Sequence, residues 1–108
     1  MIEMDRRPVL AFFRSEASGP ARRMESLIAH LAHKERDRLR VTVVDVDERP
    51  ELADRFRVEV VPTLVLLVDR RVAARLEGRV SAPKIARMLE PHLPVEAPAS
   101  LAPLPAVG

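Results

Sequence analysis

Two short apolar segments with an amphipathic segment between them constrain the fold of this chain most strongly. PVLAFF at residues 8–13 and VTVVDV at residues 41–46 are rich in large or β-branched apolar side chains, which is typical of strands buried in a sheet. Between them, apolar residues recur at helical spacing and predict an amphipathic helix that reaches to about residue 37: Met24, Leu27, Ile28 and Leu31. Two strands joined through a helix are expected to be parallel, with a right-handed crossover.

Two further helices are indicated by capping residues and prolines. Asp47 or Glu48 is expected to cap a short helix that has Pro50 in its first turn. Ser81 is the expected N-cap of a last helix, with Pro83 in its first turn. Both prolines suit a first turn because the amide hydrogen that proline lacks has no intrahelical partner there.

A hairpin completes the fold. Residues 64–68 and 72–77 predict two strands about a turn at 69–71, and Gly78 ends the second strand. The predicted fold class is therefore α/β, in the order β-α-β-α-β-β-α, with a four-stranded mixed sheet and helices on both faces. We expect one domain at residues 1–93 and a mobile Pro- and Ala-rich tail at residues 94–108.

Composition narrows the possible chemistry. The 108 residues contain no cysteine, which excludes disulfides, thiolate metal sites and a cysteine nucleophile within them. Nearly all of the 18 basic residues are arginines scattered singly or in pairs, so we predict no nucleic-acid binding. No apolar run is long enough for a membrane span or an export signal, so we expect a cytoplasmic protein without membrane contact.

The turn between the first strand and the first helix contains Ser18-Gly19-Pro20-Ala21. Ser18 is the expected N-cap, with its oxygen accepting from the backbone N–H near Ala21; the alternative is a polar contact for a bound peptide. A serine becomes a nucleophile only beside a positioned base. The three histidines are expected on exposed helix surfaces, where they form neither a catalytic base nor a metal site: His30, His33 and His92.

Three local motifs in this order resemble the thioredoxin family over about residues 6–93. Ser18-Gly19-Pro20-Ala21 is similar to the family's Cys-Gly-Pro-Cys motif, with Ser and Ala in the two cysteine positions. Val61-Pro62-Thr63 is similar to the cis-proline turn that faces the family's active site. Gly78 stands where the family keeps a glycine close to the same surface. The resemblance implies a cis bond before Pro62, although an X–Pro bond is cis in only about 5–6% of cases.

The resemblance also implies that the redox machinery of the family is absent. The family's buried aspartate corresponds to Phe12, and its two tryptophans correspond to Arg14 and Ala17. We therefore interpret the chain as a redox-inactive relative without a cofactor or catalytic residue. One alternative is a thioredoxin-type thiol-disulfide oxidoreductase represented by a cysteine-less variant, with Ala21 as one replaced position. A second alternative is a structural module that dimerises or tethers through its tail.

The resemblance implies a protein or peptide partner. The peptide-binding residues would be Ala17, Ser18, Val61, Pro62 and Gly78, and the main chain of Val61 would pair with an extended segment. Arg14 and Arg79 are expected to form a cationic rim that favours acidic or C-terminal segments.

Overall fold

The computed structural model describes residues 6–94, which form four strands, three α-helices and a short 3-10 helix. In chain order these are β1 (Val9–Arg14), α1 (Gly19–Lys34), β2 (Arg40–Asp45), α2 (Pro50–Arg55), β3 (Thr63–Val68), β4 (Arg71–Glu77), α3 (Ala82–Leu89) and the 3-10 helix Glu90–His92. The predicted order of strands and helices is confirmed. The predicted mobile tail lies outside the described residues, except for Pro94.

The strands form one mixed sheet in the order β2-β1-β3-β4. β1 pairs in parallel with β2, with Phe12 opposite Val43, and antiparallel with β3. β3 and β4 form the predicted antiparallel hairpin. At its turn, Asp69 and Arg70 both have positive φ, 54° and 69°. Such a turn matches the right-handed twist of the flanking strands, although glycine and asparagine adopt it more readily than arginine.

The two faces of the sheet are covered by different helices. On one face, α1 and α3 pack over the larger core cluster, which consists of Leu10, Phe12, Met24, Ile28, Leu39, Leu64, Leu66, Ile85 and Leu89. On the other face, Leu52 of α2 and Phe56, directly after α2, cover a smaller cluster that includes Phe13 and Val65. The Phe13 and Phe56 rings are tilted, with centroids 5.9 Å apart. The predicted helices on both faces are therefore present.

The first helix ends earlier than the sequence predicted. α1 stops at Lys34 rather than near residue 37, with Glu35 as its C-cap. The Glu35 carbonyl accepts from the amides of Arg38 at 2.9 Å and Leu39 at 2.8 Å, which closes a turn after the helix. This turn buries Leu39 in the core directly before β2.

The predicted cap of α2 is wrong, and that of α3 is right only in position. Arg49, not Asp47 or Glu48, occupies the N-cap of α2, and its side chain makes no capping bond. Asp45 instead organises this turn, because its Oδ1 accepts from the amides of Asp47 and Glu48 at 2.8 and 3.3 Å. Ser81 occupies the N-cap of α3, but its side chain makes no capping bond either.

Candidate functional site

Four strand ends meet at one edge of the sheet. The parallel register places Arg14 at the end of β1 opposite Asp45 at the end of β2. The antiparallel register places Phe13 opposite Thr63 at the start of β3, and Thr63 opposite Glu77 at the end of β4. All the predicted peptide-binding residues lie in loops or turns that leave the sheet at this edge.

The turn before α1 is fixed by Ser18. Its Oγ accepts from the Ala21 amide at 3.2 Å, so the predicted N-cap is confirmed. The Ser18 amide in turn donates to the Ser15 carbonyl at 3.0 Å. Ala21 has no exposed surface, whereas Ala17 is exposed. The Ser18 hydroxyl is thus engaged by the helix end, where an N–H group without an intrahelical partner is satisfied by a side-chain acceptor.

A polar network that sequence reasoning missed holds this turn against the end of β2. Ser15 is buried, and its hydroxyl donates to Asp47 Oδ2 at 2.8 Å and accepts from the Ala17 amide at 3.3 Å. Arg14 donates from Nε to Glu25 and from Nη1 to Asp45 Oδ2, the latter at 3.3 Å. The available signal was the presence of polar residues at the carboxyl ends of two predicted parallel strands.

The predicted role of Arg14 as a cationic rim is wrong. Its side chain is only 15% exposed, and its guanidinium faces the carboxylates of Glu25 and Asp45. A guanidinium that is already paired and largely removed from water has little remaining capacity for an external carboxylate. Arg79, the other expected member of the rim, is exposed.

The turn before β3 is shaped by Pro62 and by a contact from Gly78. The Val61–Pro62 peptide bond is cis and Pro62 is buried. The Pro62 carbonyl accepts from the Gly78 amide at 2.8 Å, which joins two of the predicted site residues directly. Gly78 has a φ of 83°, and a Cβ added there would meet no atom within 4 Å, so its backbone conformation, not lack of space, favours glycine. Thr63 Oγ1 donates to the Val60 carbonyl at 2.7 Å and fixes the preceding turn.

Val61 presents its main chain at this turn. Within residues 6–94, neither its N–H nor its C=O forms a hydrogen bond. Its neighbour Val60 is 47% exposed, one of three large apolar side chains exposed in the described part of the chain. No hydrogen bond joins Ser18 to Pro62 across those residues, so the two turns share an edge without a direct polar link.

The histidines are separate from this edge. His30 and His33 are exposed on α1, and His92 is half-buried in the 3-10 helix. Ser18 Oγ accepts from the Ala21 amide, and no histidine of the described range is bonded to it. Between residues 6 and 94, no three histidine, aspartate or glutamate side chains lie close enough together to hold a metal ion. None of the helices in that range is long and apolar enough to cross a membrane.

Comparisons with known proteins agree with the fold. The family model described as Thioredoxin matches residues 1–91. A thioredoxin from Griffithsia pacifica is 30% identical over 88 residues, which are 82% of this chain and 81% of that protein. A thioredoxin-like protein from Synechocystis is 32% identical over 87 residues, 81% of this chain and 80% of that one.

The chain is also similar to solved structures of thioredoxins. The crystal structure of the germline-specific thioredoxin Deadhead from Drosophila melanogaster superposes with a TM-score of 0.76 at 31% identity, and covers 82% of this chain and 83% of that one. The fold and the edge site define a thioredoxin-like protein. The chain belongs to the thioredoxin family, with Ser18 and Ala21 where the family motif has cysteines.

Proposed function

We propose that this chain binds an extended segment of a protein partner at the edge formed by Ala17, Ser18, Val61, Pro62 and Gly78, without thiol chemistry. The observation that carries the proposal is the unpaired main chain of Val61 directly before Pro62. An extended segment that lies alongside adds hydrogen bonds to both groups, in the way that a peptide adds to a sheet edge.

The surroundings of Val61 are suited to such a segment. The Gly78 amide is bonded to the Pro62 carbonyl, and Thr63 holds the Val60 carbonyl, so the turn is fixed on both sides of Val61. A receptor main chain that is already ordered loses little conformational entropy on binding. Val60 supplies an exposed apolar side chain next to the unpaired groups. The affinity is expected to be weak because the contact is small.

Reductase chemistry is not part of the proposal. Thiol-disulfide exchange requires a thiolate that attacks a sulfur atom and forms a mixed disulfide. The 108 residues contain no cysteine, and the Ser18 hydroxyl is bonded to the Ala21 amide. A serine hydroxyl ionises far less readily than a thiol, and needs a neighbouring base to react.

The preferred segment is apolar rather than acidic. The expected preference for acidic peptides depended on Arg14 and Arg79, and Arg14 is paired inside the network. Glu16, whose side chain is 81% exposed and lies 4.0 Å from the Arg14 guanidinium, adds a negative charge to the same loop as Ala17. Val60 is therefore the more useful guide to the segment, which we expect to carry an apolar side chain beside its hydrogen-bonding main chain.

A thioredoxin-type oxidoreductase remains the second candidate, favoured by the position of Ala21. This residue is completely buried at the second cysteine position of the motif, next to the capped helix start. The genomic codons for residues 18 and 21 discriminate between the two candidates. A cysteine codon at either position would support the oxidoreductase, whereas serine and alanine codons support the thiol-free proposal.

The proposed domain boundary follows from the same fold. The family model ends at residue 91, close to the end of the 3-10 helix at His92. We therefore propose a thioredoxin-like domain at residues 1–93 and a separate Pro- and Ala-rich segment at 94–108.

The binding proposal is tested with short peptides selected from a random phage-displayed library on the immobilised chain. Selected peptides are titrated against the unmodified chain, Ala17→Lys and Ala86→Lys. Both alanines are exposed, but Ala17 lies at the proposed site and Ala86 lies on α3. We expect Ala17→Lys to weaken binding about tenfold or more, which is about 1.4 kcal/mol. Equal binding by Ala17→Lys, or loss of binding by Ala86→Lys alone, would place the site elsewhere.

A further inference from the structure

The outer edge of β2 is a second surface with unpaired main-chain groups. β2 stands at the end of the sheet order, and within residues 6–94 no strand pairs with its outer side. The Arg40 amide donates to the Pro8 carbonyl and the Val46 amide donates to the Arg14 carbonyl. These two bonds show which residues of β2 direct their main-chain groups toward β1 and which direct them away from it. Even-numbered residues therefore bond to β1, whereas Val41 and Val43 direct their N–H and C=O groups to the outer edge.

The side chains along this edge are apolar and incompletely covered. Val43 is 56% exposed, the largest value among the exposed large apolar side chains of residues 6–94. A shallow groove of about 480 Å³ lies between β2 and α1, and Val41, Val43, Ala29 and Ala32 contribute to its walls. An apolar strand edge of this kind is a template for pairing with another chain.

We propose that the β2 edge pairs with the same edge of a second copy of this chain, as an antiparallel strand pair about a two-fold axis at Thr42. In this register Val41 lies opposite Val43 of the other copy, and Val43 lies opposite Val41 of the other copy. The four unpaired groups of each copy then meet the four of the other, because directly opposite residues of an antiparallel pair exchange both hydrogen bonds. The contact is isologous, as the commonest homodimer contacts are.

The side chains of this register are also complementary. On the α1 side of the sheet, Val41 and Val43 of the two copies form an apolar cluster of cross-strand pairs. On the other side, Thr42 meets its own copy, and threonine pairs are favourable across strands. In this register Arg40 lies opposite Val44 of the other copy, so no like charges stand directly opposite each other.

The other end strand of the sheet does not offer the same surface. β4 has a register irregularity where it pairs with Leu66 and Leu67, and such bulges interrupt an edge. It also carries Arg71 and Arg75 two positions either side of Ala73. An antiparallel self-pairing centred on Ala73 would place these arginines opposite each other, and like charges directly opposite are destabilising.

The dimer is expected to be weak. A strand pair this short is expected to bury less than the roughly 800 Å² per partner of a standard interface. We therefore expect a dissociation constant on the order of 100 µM. Sedimentation equilibrium from about 10 µM to about 1 mM spans that value. The apparent mass of the full chain should rise from 12.1 kDa toward twice that mass as the concentration increases.

Val43→Lys and Val72→Lys form the matched pair of variants. Both valines are exposed on end strands of the sheet, at 56% and 50%, but Val72 is on β4. Val43→Lys should remain monomeric at about 1 mM, because each lysine then replaces a valine of the apolar cross-strand pairs and puts a charge on the strand edge, and Val72→Lys should associate as the unmodified chain does. Amide hydrogen exchange on the unmodified chain gives an independent readout, with the Val41 and Val43 amides slowing severalfold at high concentration and the Val72 amide unchanged.

Three results would overturn the proposal. The first is a monomer mass for the unmodified chain at every concentration. The second is dimerisation of Val43→Lys to the same extent as the unmodified chain. The third is an association that slows exchange at Val72 and leaves Val41 and Val43 unaffected, which would place the contact on β4.

Discussion

Replacing Ser18 with alanine tests whether this residue serves the helix or a reaction. The first four N–H groups of a helix have no intrahelical partner. At the start of α1, the Ser18 amide donates to Ser15, Pro20 has no amide hydrogen, and the Ala21 amide donates to Ser18 Oγ. Of the amides at the start of α1, only that of Gly19 lacks a protein partner within residues 6–94. The Ser18 hydroxyl is therefore the only acceptor for the amide of Ala21, which is buried.

The loss of folding stability expected for Ser18→Ala follows from this arrangement. Loss of a serine N-cap costs about 0.5–2 kcal/mol of folding stability. Ala21 is completely buried, and the first turn of α1 has no acidic side chain that would compensate. We therefore expect Ser18→Ala to lower the free energy of unfolding by about 1–2 kcal/mol. For a domain of this size, Tm should fall by roughly 4–16 °C.

Urea unfolding measured by far-ultraviolet circular dichroism checks this value. The midpoint of the Ser18→Ala variant should fall by roughly 0.5–1 M. Ser18→Asp keeps an acceptor and adds a negative charge at the helix N-terminus, so its stability should equal or exceed that of the unmodified chain. Ser81→Ala is the matched control, because Ser81 occupies the N-cap of α3 without a capping bond, and it should cost less than about 0.5 kcal/mol.

Two outcomes would refute the capping argument. One is a Ser18→Ala variant as stable as the unmodified chain. The other is a Ser81→Ala variant that loses as much stability as Ser18→Ala, which would show that the hydrogen bond from Ala21 to Ser18 is not the cause.

The remaining predictions concern redox activity, the network and the hairpin. The chain should not accelerate insulin reduction by dithiothreitol, and a reproducible acceleration would contradict the thiol-free account. The Ser18→Cys/Ala21→Cys double variant should form a disulfide, seen as the loss of two free thiols, yet remain a poor reductase because Phe12 has no proton-handling group; turnover equal to that of an ordinary thioredoxin would show that Phe12 is unimportant. Arg14→Met should destabilise the fold by about 1–3 kcal/mol in urea unfolding, because two carboxylates lose their shared partner, and an unchanged midpoint would mean that the network adds no stability. Arg70→Gly should raise stability by about 0.5–1 kcal/mol because φ is 69° there, whereas a lower Tm would show that the arginine side chain stabilises the turn.

The strand and helix order was predictable from the sequence because each element is encoded locally. PVLAFF and VTVVDV are typical of strands, and Met24, Leu27, Ile28 and Leu31 indicate one helix face. The helix end at Lys34 was not predictable from that pattern, because the turn after the helix is formed by main-chain hydrogen bonds to Glu35, which the apolar spacing does not show. The predicted cap of α2 was wrong because Asp45, at the end of β2, accepts from the amides of Asp47 and Glu48.

The role of Ser18 was predictable from the sequence, but the ion pairs of Arg14 were not. Ser18 was correctly expected at the N-cap because that role depends on one short turn. Arg14 was expected at the surface because nothing local shows that Glu25 and Asp45, which are 11 and 31 residues away, converge on it. Long-range ion pairs depend on the register of β1 with β2 and on the position of α1, and a single sequence does not specify either.

Amide shift mapping of a selected peptide on the ¹⁵N-labelled chain tests whether the edge at Ser18 and Val61 binds an extended segment. We expect a titrated peptide to move the amides of Ala17, Ser18, Val61 and Gly78, and hydrogen exchange at Val61 to slow as its N–H becomes bonded. The chain has no thiol, so binding should be unchanged by dithiothreitol. Shifts confined to α3 or to residues 94–108, with Val61 exchange unaltered, would contradict the account.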